Sequence, residues 1–191
     1  MTTPDRPGST PDGPELAERA RCLLEHARAA ETAVDSAAAA LFRLGGEVAR
    51  ATTRGEAARS GARVAAERDL MGDLLDELSG IAGDADRLDA ELDRRDPEAR
   101  AVLDAVRGVV HAAGDRGREC EWLGELAADR VHDFAEFELL YSQASRHLDH
   151  DDLAAVDAVL PRLVALDRAL VSVEIGAMLD ELRFRLLISR G

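Results

Sequence analysis

The chain encodes an all-α protein: an elongated, up-down antiparallel bundle of four to five long helices with coiled-coil-like seams. Three observations lead there. The first is a seam. Leu16, Ala20, Leu23, Ala27, Ala30, Val34, Ala37, Leu41, Leu44 and Val48 are all apolar, at steps that alternate between four and three. That is a repeat of about 3.5 residues, which keeps one helix face against lengthwise neighbours. The second is composition: 46% of the 191 residues are apolar but only 3% are aromatic. The core is therefore built of Ala, Leu and Val, which suit close helix packing and lack the β-branched and aromatic enrichment of strands. The third is punctuation. Helix-start signals follow helix ends at once, and short links make consecutive helices antiparallel neighbours.

Taken in order, residues 1–14 hold Pro4, Pro7, Pro11 and Pro14 among Gly, Ser, Thr and Asp, the composition of a disordered arm. Residues 15–191 are then one helical-bundle domain. The first helix starts near Glu15 and runs to about Ala51, with Glu15 and Glu18 suiting its N-terminal dipole. Thr53-Arg54-Gly55-Glu56 matches the capping box, in which a Thr and a Glu satisfy each other's unpaired amides. The second helix begins there and carries its own seam: Val64, Glu67, Met71, Leu74, Leu78, Ile81, Ala85, Leu88 and Leu92. Glu67 is its one polar member, and the phase holds across Gly80 and Gly83.

Asp96-Pro97-Glu98 is a third start: a capping Asp, Pro at the first helical position and an acid next. The third helix turns Val102, Val106 and Val109 inward and stops or bends at Gly114, Asp115 and Gly117. The fourth runs to about His147 with Leu123, Ala127, Phe134, Phe137, Tyr141 and Ala144 on one face. Asp149-His150-Asp151-Asp152 opens a fifth helix that reaches about Ser189 and is kinked by Pro161. With the third and fourth helices counted as one broken rod, the helical segments match in length, at roughly 55–75 Å each.

The formal net charge is −14, with 24 Arg, no Lys and no Asn. It is unevenly placed: residues 15–68 carry nine Arg against eight acids, and residues 69–191 fourteen against twenty-eight. This acidity excludes a nucleic-acid or anionic-membrane binder. Cys22 and Cys120 stand alone, which is not a disulfide framework. Residues 1–14 hold no apolar signal core, and no apolar run approaches the roughly 20 residues of a membrane helix. The expectation is a cytoplasmic protein with no cofactor.

The one His/acid cluster is His147, His150 and Asp151 with Asp149 and Asp152. Imidazole and carboxylate are transition-metal ligands, so His147, His150 and Asp151 are the metal candidates, set against the plainer reading that these acids cap the fifth helix. Arg43, Arg50, Arg54, Arg59, Arg63 and Arg68 form a basic segment that would hold an anion or pair with the acidic helices. Cys22 lies one residue off the first seam and reads as an inert thiol.

Two short stretches resemble known families. The segment from Val34-Asp35 to Arg50 resembles the first helix of helical-bundle chorismate mutases, which grip a dicarboxylate with Arg and Lys. This chain has no Lys, which removes half of that grip. Trp122-Leu123-Gly124 resembles the W-x-G of small type VII secretion substrates. There the tripeptide lies in a hairpin turn and an acid follows the Tyr by four residues; here Ser145 stands four residues after Tyr141, so the export motif is incomplete.

The fifth helix breaks the pattern of the others. The pairs 163/164, 170/171, 178/179 and 186/187 are all apolar on adjacent positions, which point about 100° apart. One member of each pair lines a core and the other faces elsewhere. Val164, Val171, Ile175, Met178, Phe184 and Leu187 are therefore the candidate interface residues, for a protein partner or a homodimer. The function expected is that of a non-enzymatic scaffold, adaptor or accessory subunit acting by protein–protein contact. The alternative is a small all-helical enzyme or metal-binding protein using the Arg segment or the His147/His150 cluster.

Overall fold

A computed structural model describes residues 13–92 and 96–191. It is an all-α helical bundle, with six helices and no strand among the described residues: α1 (Gly13–Arg50), α2 (Arg54–Glu91), α3 (Pro97–Cys120), α4 (Trp122–Asp149), α5 (Leu153–Leu170) and α6 (Val173–Arg190). Of the arm expected over 1–14, residues 1–12 lie outside the described residues, while Pro14 is already in α1.

The seams behave as helix-packing surfaces. In α1 every seam residue except Leu23 is buried; in α2 all are buried except Glu67 and Leu74, which are half-buried. The starts are built as their sequences require. Thr53 Oγ1 accepts the Glu56 amide at 3.2 Å, and Asp96 Oδ1 accepts the Ala99 amide at 3.0 Å. One detail of the capping box differs. Glu56 reaches back past Thr53 to Thr52, whose amide and hydroxyl donate to it at 2.9 and 3.0 Å.

The described residues pack as two compact units. Among the described residues the first comprises 13–38, 70–92 and 96–119, the second Ala39–Asp69 and Cys120–Gly191. The first unit has three helical segments, from α1, α2 and α3. Its buried side chains include Val34, Leu78, Leu88, Leu103 and Val106. Leu103 rather than Val102 holds the inward position of α3, and Val102 and Val109 are half-buried beside it. Gly114 and Gly117 do not stop α3, which runs on to Cys120. Gly117 instead permits close packing: a Cβ there would fall 2.6 Å from Cδ1 of Leu75. Arg107 ties α2 to α3 by ion pairs with Asp86 and Asp89, both at 2.9 Å.

The second unit has five segments, from α1, α2, α4, α5 and α6. Phe134, Phe137, Leu163, Leu166, Leu170, Leu179 and Leu182 are all in its core. Gly45 is buried because Leu123 occupies its side; a Cβ on Gly45 would lie 2.5 Å from Leu123 Cδ2.

The single fifth helix of the sequence reading is two helices. α5 passes through Pro161 and ends at Leu170. Val171 adopts a left-handed conformation (φ 49°, ψ 45°), and Ser172 caps α6, its hydroxyl accepting the Ile175 amide. The break between the third and fourth helices likewise moves, from Gly114–Gly117 to Glu121. Glu121 keeps helical dihedrals (φ −57°, ψ −42°), so Trp122-Leu123-Gly124 opens α4 without a hairpin turn.

Candidate interaction surface

The most elaborate local chemistry lies at the corner between α5 and α6. Helix C-termini leave carbonyls without intrahelical partners. Arg130, on α4, meets this need for two helices at once. Its guanidinium donates to the Ala51 carbonyl just past α1, at 2.8 Å, and to the carbonyls of Ala169 and Leu170 at the end of α5. A cation there also complements the negative ends of both helix dipoles. The guanidinium stands 5.3 Å from the Phe134 ring centroid, within cation–π range. Burial lowers the Arg130 pKa from its ordinary value, and the Asp133 charge opposes that shift. Ser172 completes the corner: its buried hydroxyl donates to the Thr52 carbonyl at 2.6 Å. The turn after α1 and the turn after α5 are thus fastened together within the second unit.

Sequence reading missed Arg130 and Ser172. An Arg among 24, in a chain without Lys, gives no sign that it serves carbonyls remote in sequence. A Ser between two apolar runs was a legible helix-cap signal that the long apolar stretch masked.

The interface candidates separate by position. Ile175 is 5% exposed, within the core of the second unit, because it sits one turn into α6 on the face that meets α4 and α5. It does not reach the outer surface while α6 is docked. Val164 and Met178 pack at the margin of the same core. Val171, Phe184 and Leu187 are 79%, 63% and 69% exposed, and Ile188 joins them at 64%. Phe184, Leu187 and Ile188 stand at i, i+3 and i+4, one patch on the outer side of α6.

The acidic cluster is a cap. Asp152 Oδ1 accepts the Ala155 amide at 3.2 Å, and its Oδ2 lies 3.3 Å from His147 Nδ1. Asp149 pairs with Arg185 at 2.6 Å. His150 closes α4, and Asp151 sits in the left-handed region (φ 57°) of the turn. No group of three metal-ligating side chains converges among the described residues, so His147, His150 and Asp151 are not brought together as ligands.

The basic segment is dispersed rather than convergent. Arg54 pairs with Glu138 and Arg63 with Glu47, while the Arg68 guanidinium fills the space a Cβ on Gly124 would need. Asp35 pairs with Arg116 in the first unit, whereas Arg50 is an exposed residue of the second. Cys22 is exposed. No helix among the described residues is long and apolar enough to cross a membrane.

No protein-family model matches this chain, and neither a curated protein nor a solved structure is detectably similar to it.

Proposed function

We propose that the protein is a non-enzymatic helical scaffold, adaptor or accessory subunit that works by protein–protein contact through the outer face of α6. One observation carries this reading. Phe184, Leu187 and Ile188, three large apolar side chains on one face, are each more than three-fifths exposed. Single exposed apolar residues are ordinary, but a contiguous cluster is the usual mark of an interaction surface. The same helix already contributes Leu179, Leu182 and Leu186 to the core, so the outer residues are surplus to the fold. The net charge of −14 favours a protein partner over nucleic acid or an anionic membrane. A sequence with only two cysteines and no CxxC pair suits the cytoplasm as its compartment.

Light scattering and hydrophobic-dye binding test the reading. Wild type is expected to self-associate or to bind the dye. Phe184→Glu with Leu187→Glu is expected to abolish both while leaving circular dichroism unchanged. A monomeric wild type that binds no dye would overturn the proposal.

A further inference from the structure

The corner between α5 and α6 is two residues long, and it is strained. Val171 has φ 49° and ψ 45°. A β-branched side chain is a rare occupant of the left-handed region, where its Cβ crowds the following carbonyl. Neither Gly nor Pro occurs between Asp167 and Ile175, and the one turn signal in the sequence there is the capping Ser172.

The apolar pattern is written for a straight path. α5 buries Leu163, Leu166 and Leu170. Steps of three and four continue that line to Val173, Ala177, Phe184 and Leu187, all of them exposed, with one charged interruption at Asp180, which pairs with Arg183. The residues α6 buries are Ile175, Leu179, Leu182 and Leu186, reached by a step of five from Leu170. That step shifts the buried face by about 140°. The segment thus carries two seams: one serves the folded-back hairpin, and the other is in register with a single helix over 153–190.

We propose that α6 exchanges between two copies of this chain. The corner at Val171–Ser172 opens, 153–190 becomes one helix, and each α6 docks in the other copy's second unit. Short strained hinges are the ones that exchange in this way. Opening without a partner would leave Ile175, Leu179, Leu182 and Leu186 in water. A second copy of α6 refills that slot with the same side chains and remakes the ion pairs of Arg185 with Asp149 and of Arg190 with Asp157. Exchange gives up the Ser172–Thr52 hydrogen bond and the Ser172 cap on Ile175, and the helical ladder takes over the Ala169 and Leu170 carbonyls that Arg130 serves in the folded-back form. In return it relieves Val171 in both copies and closes the helical hydrogen-bond ladder across the corner. This association is distinct from contact through the outer face of α6, since it uses the inner seam.

Two full-length chains with different tags test it, one carrying Asp157→Cys and the other Arg190→Cys, each also Cys22→Ser and Cys120→Ala. They are mixed at high concentration, warmed to the unfolding midpoint, cooled, diluted and treated with a flexible bismaleimide, whose reach replaces the length of the Arg190 side chain. A single chain bearing both new cysteines, never heated, gives the internal cross-link expected of the folded-back form. Exchange is supported by a cross-link joining the two tags within a dimer. Val171→Gly, which removes the strain and disfavours the straight helix, should cut that product by about tenfold, and Phe184→Glu should leave it unchanged. Absence of any cross-tag product, or its loss with Phe184→Glu but not with Val171→Gly, would overturn the proposal.

Discussion

The Ser172 hydroxyl donates to the Thr52 carbonyl across 120 residues of sequence, at 2.6 Å, while accepting the Ile175 amide. One buried oxygen therefore caps α6 and ties two turns together. Ser172→Ala removes the cap and leaves the Thr52 carbonyl short of a partner. We expect a loss of about 1–2 kcal/mol, visible as a drop in Tm, whereas Ser189→Ala, at an exposed position near the end of α6, should change little.

Two helical glycines should respond oppositely to alanine. Ordinarily Gly→Ala within a helix stabilises by about 0.5–1 kcal/mol. Gly80 has nothing within 4 Å of an added Cβ, so Gly80→Ala should show that gain. At Gly45 the new Cβ meets Leu123 Cδ2 at 2.5 Å, and Leu123 is itself buried with little room to move. Gly45→Ala should cost about 1–3 kcal/mol. Equal denaturation midpoints for the two variants would contradict this account of the packing.

Leu78 is buried on the α2 seam and Asp76, two positions away, is exposed. Leu78→Asp places an unpaired carboxylate in the core of the first unit and should cost about 4 kcal/mol or more. Asp76→Ala should stay within about 0.5 kcal/mol of wild type. Thermal melts of the pair check which face of α2 is inward.

Acid should loosen the start of α2. The Thr52 amide, the strongest influence, and then the Thr52 hydroxyl hold the Glu56 carboxyl below its ordinary pKa of 4.5. A carboxylate depressed in the folded state contributes stability that is present above its unfolded pKa and lost as pH falls through the lower folded value. Glu136 behaves the same way through its hydrogen bond from Arg162. Between pH 7 and about pH 5 the Tm difference between wild type and Glu56→Gln should stay constant. Below about 4.5 it should shrink, and an unchanged gap down to pH 2 would rule out this role for Glu56.

Much of the fold was determined by the sequence alone. The all-α class, the two long seams and the starts of α2 and α3 are local matters: periodicity, propensity and capping act within a few turns of helix. They are set by residues such as Val34, Leu78, Thr53 and Asp96, whatever the rest of the chain does. The acidic run at Asp149–Asp152 was legible for the same reason, and Asp152 does cap α5. Tertiary structure alone decided the matters that depend on remote atoms. Gly117 looks like a helix stop in sequence, but it lies inside α3 because Leu75 needs the space beside it. The apolar run from Leu160 to Ile188 fits one helix by its pattern. It becomes two because Ser172 finds the Thr52 carbonyl and Arg130 takes the carbonyls that end α5. Those bonds join residues tens of positions apart, and no local period records them. The same fold-back determines which of the candidate residues face outward: Ile175 turns into the core, and Phe184 and Leu187 remain on the surface.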